Sequence, residues 1–238
     1  RARKECASLV ASIFVNPTQF APNEDLDSYP RDLDRDFRLL EEAGVDLVWT
    51  PNSAVMYPPG FQTWVEVENV TKVLEGASRP THFQGVTTVV AKLFNAVQPQ
   101  KAFFGQKDAQ QLFLIRHMVK QEGLPLEVVS VPTIRGGDRL ALSSRNAFLS
   151  AEEHQRALAI PRALEIATGC SSADQARAQA RSYVESAPGV EVDYLEIVDP
   201  ETFEPCAPGT NPREGLMIVA ATIGATRLID NQVLAFGQ

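Results

Sequence analysis

Apolar runs and helical patterns alternate along the first 131 residues of the chain. The predicted strands, short runs of mainly apolar residues, are 7–15, 46–50, 64–67, 102–104 and 127–131. The predicted helices, whose apolar residues recur every three or four positions, are 32–43, 86–97 and 107–122. Strands that alternate with helices need crossover connections, so this half of the chain predicts an α/β fold with a parallel sheet.

The pattern changes after residue 132. Helices are predicted first, over 150–168 and 173–186, with a kink at Pro161. Strands follow, over 191–198 and 216–223, and the segment 227–231 closes toward a last short strand at 232–236. This order is typical of an α+β arrangement. We therefore predict two domains, 1–132 and a smaller α+β domain at 133–238.

Composition excludes some classes of function. The net charge of -8 argues against general nucleic-acid binding, which needs a positive surface. The three cysteines and three histidines form no metal-binding pattern, and the sparse cysteines favour a reducing compartment. The sequence contains no long apolar run and no signal peptide, so a cytoplasmic protein without a membrane partner is expected. Because the chain opens on Arg1 and enters a strand at once, we expect sequence upstream of it.

A turn at 105–108 is the first candidate site. The strand 102–104 meets Gly105 and then a polar helix start with Lys107, Asp108 and Gln111. Gly105 can take backbone angles forbidden to other residues, and a helix N-terminus with a lysine attracts anions. The alternative, an ordinary turn with solvated polar residues, is equally compatible with this segment alone.

A loop at 133–146 is the second candidate. It has two adjacent glycines at its centre and ends in Ser143, Ser144 and Arg145. Hydroxyl groups and a guanidinium can bind a phosphate together, and a glycine-rich approach allows such a loop to close over a ligand. A local turn in which the serines cap the backbone is the alternative interpretation.

The end of the first predicted strand offers further polar groups. Asn16 and Gln19 follow it directly, at the sheet edge where α/β proteins bind ligands. A turn that begins at Asn16-Pro17 would also explain them. For His82, shortly before the second helical pattern at 86–97, a structural or capping role is favoured over a catalytic base.

Five segments together resemble the pantothenate synthetase family. They are SIFVNPTQF at 12–20, EGASRPTHF at 75–83, FGQKD at 104–108, LSSRN at 142–146 and RLIDN at 227–231. They occur in the order and spacing of that family and span nearly the whole chain. The resemblance implies the Rossmann-like fold of the nucleotidyltransferase superfamily.

The resemblance also implies an activity. The family is an AMP-forming ligase of pantothenate biosynthesis, on the route to coenzyme A. It joins pantoate and β-alanine with ATP and Mg²⁺ through a pantoyl-adenylate, and it releases AMP and pyrophosphate. A homodimer formed through the parallel-sheet half is expected.

Residue roles follow from the same resemblance. The nucleotide-binding set is Gly105, Gln106, Lys107, Asp108, Ile134, Leu142, Ser143, Ser144 and Arg145, with Ile134 against the adenine. The catalytic set is Lys107, Ser143, Ser144 and Arg145. The pantoate-binding set is Asn16, Gln19, His82, Val86, Val89, Val90 and Gln111. No residue is assigned to a protein-held metal.

Three positions depart from the family. Its His-x-Gly-His motif is absent from this chain, Gln106 stands where the family has a glutamate, and Ala109 replaces an aromatic residue. We expect that a first strand-helix unit of roughly 30 residues or more, which carries the histidines, is missing from this chain. Another adenylate-forming nucleotidyltransferase, or a catalytically dead fragment, remains as an alternative.

Overall fold

The computed structural model describes residues 1–21, 24–210 and 212–237. The chain forms two compact units. The first unit comprises Arg1–Phe104 and Leu114–Val131, and the second comprises Gly105–Phe113 and Pro132–Gln238. The segment with Lys107 therefore belongs to the same unit as the loop with Arg145. The assignment of functional domains to 1–132 and 133–238 stays a prediction.

Helices and strands alternate along residues 1–131, which comprise the first unit and the segment Gly105–Phe113 of the second. The helices are α1 (Ala2–Glu5), α2 (Leu33–Glu42), α3 (Ser53–Met56), α4 (Glu75–Ser78), α5 (His82–Val97) and α6 (Ala109–Gln121), with 3-10 turns at Pro17–Gln19 and Val70–Lys72. The strands are β1 (Val10–Ser12), β2 (Leu47–Trp49), β3 (Lys101–Gly105) and β4 (Glu127–Val131). Strands β1 and β2 pair in parallel, and β3 pairs with β4.

The core of the first unit lies mainly between α5 and α6. Its buried members are Met56, Val86, Val89, Val90, Phe94, Ile115, Met118 and Val119. The third predicted helical pattern is thus confirmed as a helix with a buried apolar face. Helix α6 begins at Ala109, two residues later than predicted, so Lys107 lies in the turn and Asp108 is the residue that precedes the helix.

Two strand predictions in this unit were wrong. Strand β1 spans three residues instead of 7–15, and the guanidinium of Arg3 binds the carbonyl oxygens of Cys6 and Ala7 just before it. The segment 64–67 forms no strand. Val65 instead bonds to two side chains of α5, since its N–H donates to Thr88 Oγ1 (3.0 Å) and its carbonyl accepts from Thr87 Oγ1 (2.6 Å).

The second unit places helices before strands, as predicted. The helices are α7 (Ala151–Ala157), α8 (Ala159–Thr168) and α9 (Ala173–Ser186), after a 3-10 helix at Ser144–Phe148. The strands are β5 (Val190–Val198), β6 (Glu214–Ile223) and β7 (Thr226–Ala235), which form an antiparallel sheet in that order. Buried alanines of α8 and α9 pack with the apolar residues of this sheet in one core.

Strand β7 begins earlier than the sequence pattern suggested. Gly224, with φ of +60°, makes the tight turn after β6, and the ladder with β6 starts at Thr226. The segment 227–231, which was predicted only to close toward the last strand, is therefore part of that strand. Instead of the kink expected at Pro161, the helix is broken at Leu158, between α7 and α8. Pro161 lies in the first turn of α8, where a backbone N–H has no partner within the helix, so the proline costs no hydrogen bond.

In the part of the chain that the structure describes, no helix is both long enough and apolar enough to cross a membrane. Nor do three or more His, Cys, Asp or Glu side chains group there as metal ligands. The three cysteines are free thiols.

Candidate active site

Asn16 is the centre of a polar cluster at the end of β1. Its side chain is almost fully buried, with 2% exposure. Asn16 Oδ1 accepts from Thr18 Oγ1 (2.9 Å) and from Tyr57 Oη (2.8 Å). Its Nδ2 donates to the carbonyl of Gly85 (3.1 Å) and to Gln19 Oε1 (3.2 Å). Asn16 therefore fixes the orientation of the Gln19 amide, whose Nε2 donor is the end that can serve a ligand.

Two side chains, those of His82 and Arg79, bind the backbone carbonyl of Gln19. Its carbonyl oxygen lies 2.9 Å from His82 Nδ1 and 3.2 Å from Arg79 Nη2. His82 Nε2 lies 3.4 Å from Arg79 Nη1, which can only donate. Burial, with the charge of Arg79, lowers the pKa of His82. The neutral imidazole thus donates from Nδ1 and accepts at Nε2, which is a structural role.

Arg79 is itself held by carboxylates. Its Nε and Nη2 bind the two oxygens of Glu24 at 2.7 and 2.5 Å, and Nη1 lies 3.5 Å from Glu75. Burial by itself would raise the pKa of Glu24, but the hydrogen bonds and charge of Arg79 keep that pKa below its usual value. Because they surround the amide groups of Asn16 and Gln19, we call Asn16, Gln19, Arg79 and His82 the amide cluster.

The lowered pKa of His82 predicts a pH dependence of stability. The unfolded chain has the higher pKa, about 6.5, so it binds more protons than the folded chain below that pH. The free energy of unfolding should therefore fall as the pH drops below about 6.5. The variant His82→Asn keeps an N–H near the Nδ1 position but cannot titrate. Urea denaturation of both proteins across this range should show a flatter pH dependence for the variant, and identical slopes would contradict the assignment.

The other residues predicted to bind pantoate lie in different settings. Val86, Val89 and Val90 follow His82 on α5 and are at most 6% exposed, in the core of the first unit. Gln111 lies on α6 within the second unit. The structure thus brings Asn16, Gln19 and His82 into direct contact, whereas the valines support α5 from its buried side.

The βα turn, residues 105–108, is shaped differently from the sequence expectation. Gly105 has no positive φ, and an added Cβ would meet nothing within 4 Å. The glycine therefore leaves room beside the backbone rather than relieving strain. Asn231 Nδ2 donates to the carbonyls of Gln106 (2.9 Å) and Lys107 (2.8 Å). Among the described residues, Lys107 forms no ion pair, so its ammonium group is available to an anion.

The second candidate segment, residues 133–146, folds back on itself. Arg135 and Ala141 form a bridge, and the N–H of Leu142 donates to the carbonyl of Ile134 (2.9 Å). Ile134 and Leu142 are 62% and 55% exposed, so two neighbouring apolar side chains face outward. Such a surface suits the flat face of an adenine ring.

Ser143 and Arg145 sit at the start of the 3-10 helix. Ser143 Oγ accepts from the N–H of Arg145 (3.3 Å), so the capping interpretation of this serine holds in the structure. A hydroxyl that accepts one bond can still donate another to a phosphate. This 3-10 helix packs against β7, the strand whose Asn231 binds the βα turn. Lys107 and Arg145 are therefore both carried by segments that contact one strand.

Comparison with known proteins decides the family. The pantoate-beta-alanine ligase family model matches residues 1–233. The chain belongs to this family. It is 50% identical over 240 residues to the pantothenate synthetase of Herpetosiphon aurantiacus, across 98% of this chain and 86% of the relative.

Solved structures of the family agree with the fold. The pantothenate synthetase of Thermus thermophilus matches with a TM-score of 0.94 and 49% identity, over 98% of this chain and 85% of that one. The pantoate-beta-alanine ligase of Francisella tularensis, solved in complex with beta-gamma ATP and beta-alanine, matches with a TM-score of 0.79 and 32% identity, over 98% and 81%. The predicted α/β fold with a C-terminal α+β part is confirmed.

Asp230, Asn231 and Arg79 lie within the segments that resemble the family, but the sequence predicted no role for them. Asp230 and Asn231 are 3% and 4% exposed on β7, and Asp230 forms a two-bond ion pair with Arg135 (2.6 and 2.9 Å). Arg79 is the link between Glu24 and Gln19. The available signal was an Asp-Asn pair beside the apolar Leu228 and Ile229, since such polar groups are seldom buried without a partner.

Proposed function

We propose that this protein condenses pantoate with β-alanine to form pantothenate, with ATP as the second substrate. Family membership at about half identity over 98% of the chain supports this activity. The observation in the structure that carries it is the placement of the Lys107 turn and the Arg145 helix on the same strand, β7. Two cationic residues whose segments contact one strand suit a polyphosphate substrate.

The first step is formation of pantoyl-adenylate. A carboxylate oxygen of pantoate attacks the α-phosphorus of ATP, the bond to the bridging oxygen of the β-phosphate breaks, and pyrophosphate leaves. Negative charge grows on the phosphoryl oxygens and on the leaving group. Lys107, Arg145, the hydroxyls of Ser143 and Ser144, and the N-terminus of α6 stabilise that charge. Gly105, Gln106 and Asp108 shape the turn, and the exposed Ile134 and Leu142 contact the adenine.

The second step forms the amide. The neutral amine of β-alanine attacks the acyl carbon, the bond from that carbon to the phosphate oxygen breaks, AMP leaves, and the nitrogen loses a proton to solvent. In the first unit, Gln19 orients pantoate by hydrogen bonds, while Asn16 and His82 hold Gln19 and the valines of α5 support them. For Gln111, which belongs to the second unit, binding to pantoate stays a prediction of the family resemblance. Uncharged amides bind a hydroxy-acid without competing as nucleophiles, so the chain contributes mainly by positioning.

Mg²⁺ fits this chemistry as a partner of ATP. The described residues offer no group of three or more metal ligands, and Mg²⁺ commonly binds through substrate phosphates with few protein carboxylates. Of the residues predicted to bind the nucleotide, Asp108 is the one with a carboxylate, which would approach the ion. When bound, the ion would neutralise charge on the phosphates.

We also propose a cytoplasmic homodimer. Three free thiols suit a reducing compartment. Val10 and Leu47 are neighbours across β1 and β2 and are 37% and 57% exposed, which supports a partner on the first unit. Light scattering of the purified protein should give twice the chain mass of 26.1 kDa.

We further propose that residues 1–132 form the domain that binds the nucleotide and pantoate, and that residues 133–238 form the C-terminal lid domain.

Product assays test the function. Pyrophosphate–ATP exchange should require pantoate, and AMP release should require pantoate together with β-alanine. A panel of other small carboxylates serves as the control. Exchange that depends on a different acid would favour another adenylate-forming enzyme of the superfamily. Binding of ATP with no exchange for any acid would favour a non-catalytic protein.

A further inference from the structure

The Asn231 side chain makes an unusual pair of contacts. A single buried amide donates both of its Nδ2 protons to successive backbone carbonyls, those of Gln106 and Lys107. The pairing of β7 with β6 does not require these contacts. Because Asn231 binds backbone carbonyls, it fixes the peptide planes of the turn and not its side chains.

Peptide geometry makes the consequence specific. In a planar trans peptide, the carbonyl of one residue and the N–H of the next point in opposite directions. With the carbonyls of Gln106 and Lys107 bound to Asn231, the N–H groups of Lys107 and Asp108 point away from it. Those two groups lie immediately before α6, where a helix N-terminus attracts anions.

Asn231 is itself locked in place. Its backbone N–H donates to Asp230 Oδ1 (2.8 Å), and the same carboxylate binds both terminal nitrogens of Arg135 (2.6 and 2.9 Å). Arg135 Nη2 also donates to the carbonyl of Asn231 (3.3 Å). Because Arg135 follows Ile134 directly, the Asp230–Asn231 pair holds the βα turn and the 133–146 segment on one strand.

We propose that Asn231 is a positioning residue for ATP, which acts by aiming the N–H groups of Lys107 and Asp108 at the phosphates. Asp230 and Arg135 keep it oriented. This inference rests on the proposed function, because it assumes that the βα turn binds ATP. It adds a role on β7 that none of the predicted site residues has.

Two substitutions and a matched control test the proposal. Asn231→Asp replaces the donor by an acceptor of equal size, and Asn231→Ala removes it. Both should raise the KM for ATP about tenfold or more in pantoate-dependent exchange, and the KM for pantoate should stay within about twofold. Gln232→Glu makes the same amide-to-carboxylate change on the next residue, whose side chain only contacts Val233, and should leave both constants unchanged.

Several outcomes would overturn the proposal. They are an unchanged KM for ATP in the folded Asn231→Ala protein, an effect confined to Asn231→Asp, or equal changes in the constants of ATP and pantoate. Hydrogen exchange of the unmodified protein is independent of variant folding. ATP should slow exchange at the Lys107 and Asp108 amides, and unchanged rates there would also contradict it. If the unmodified protein shows no pantoate-dependent exchange but ATP slows these amides, the proposed function fails and the positioning role stands.

Discussion

Lys107→Ala is expected to reduce pantoate-dependent pyrophosphate exchange by about 100- to 1,000-fold. Removal of one group that stabilises transition-state charge has this size of effect in other enzymes. Lys107 lies in the turn before α6 and forms no ion pair with any described residue, so its charge has no structural partner to lose. Stability measured by thermal unfolding should therefore change little, while the exchange rate falls.

Lys120→Ala is the matched control for this prediction. Lys120 is exposed in the last turn of the same helix and loses the same charge on substitution. Its variant should exchange pyrophosphate at the rate of the unmodified protein. Unchanged pyrophosphate release from Lys107→Ala would exclude the role given to Lys107, and an equal loss in both variants would point to net charge instead.

Gly85→Ala is expected to damage the amide cluster. A Cβ at this position would lie 2.6 Å from the carbonyl oxygen of Thr18 and 2.8 Å from the N–H nitrogen of Gln19. Both are backbone atoms, so the 3-10 turn that carries Gln19 must move. Such overpacking costs about 1 to 3 kcal/mol of stability. Asn16, which binds the Gly85 carbonyl, should shift with it.

The kinetic effect of Gly85→Ala should fall on pantoate. A displacement of a positioning group by about 1 Å can cost up to 100-fold, so we expect the KM for pantoate to rise at least about tenfold, with the KM for ATP much less affected. Gly169→Ala is the control, because its Cβ would only reach an ordinary contact of 3.6 Å with the Ile166 carbonyl. A Gly85→Ala protein with unchanged stability and pantoate constants would show that the turn does not need this close approach.

Much of the candidate site could be predicted from the sequence because its local signals are strong. Gly105 and Lys107 between an apolar strand and a helix, and Ser143 and Arg145 after two glycines, identified both segments. What each glycine does could not be predicted. Gly105 has an ordinary φ, whereas Gly85, to which no site role was given, packs directly on the backbone of Thr18.

Strand limits were less predictable, since they depend on partners distant in sequence. Strand β1 is shorter than predicted, and the ladder with β6 draws the segment 227–231 into β7. The second change is the one that matters for function. It places Asp230 and Asn231 in the buried part of the strand, where they bind Arg135 and the βα turn.

By itself, the sequence determined the order of helices and strands and the family that the chain resembles, because periodicity and short motifs are local properties of the chain. That two of its segments bind phosphate stays a prediction. Only the tertiary structure decided which groups meet. Asn16 reaches Gly85 across 69 positions, and Asn231 reaches Lys107 across 124. Such contacts depend on how the backbone packs, and no local pattern encodes which distant carbonyl a buried amide will find.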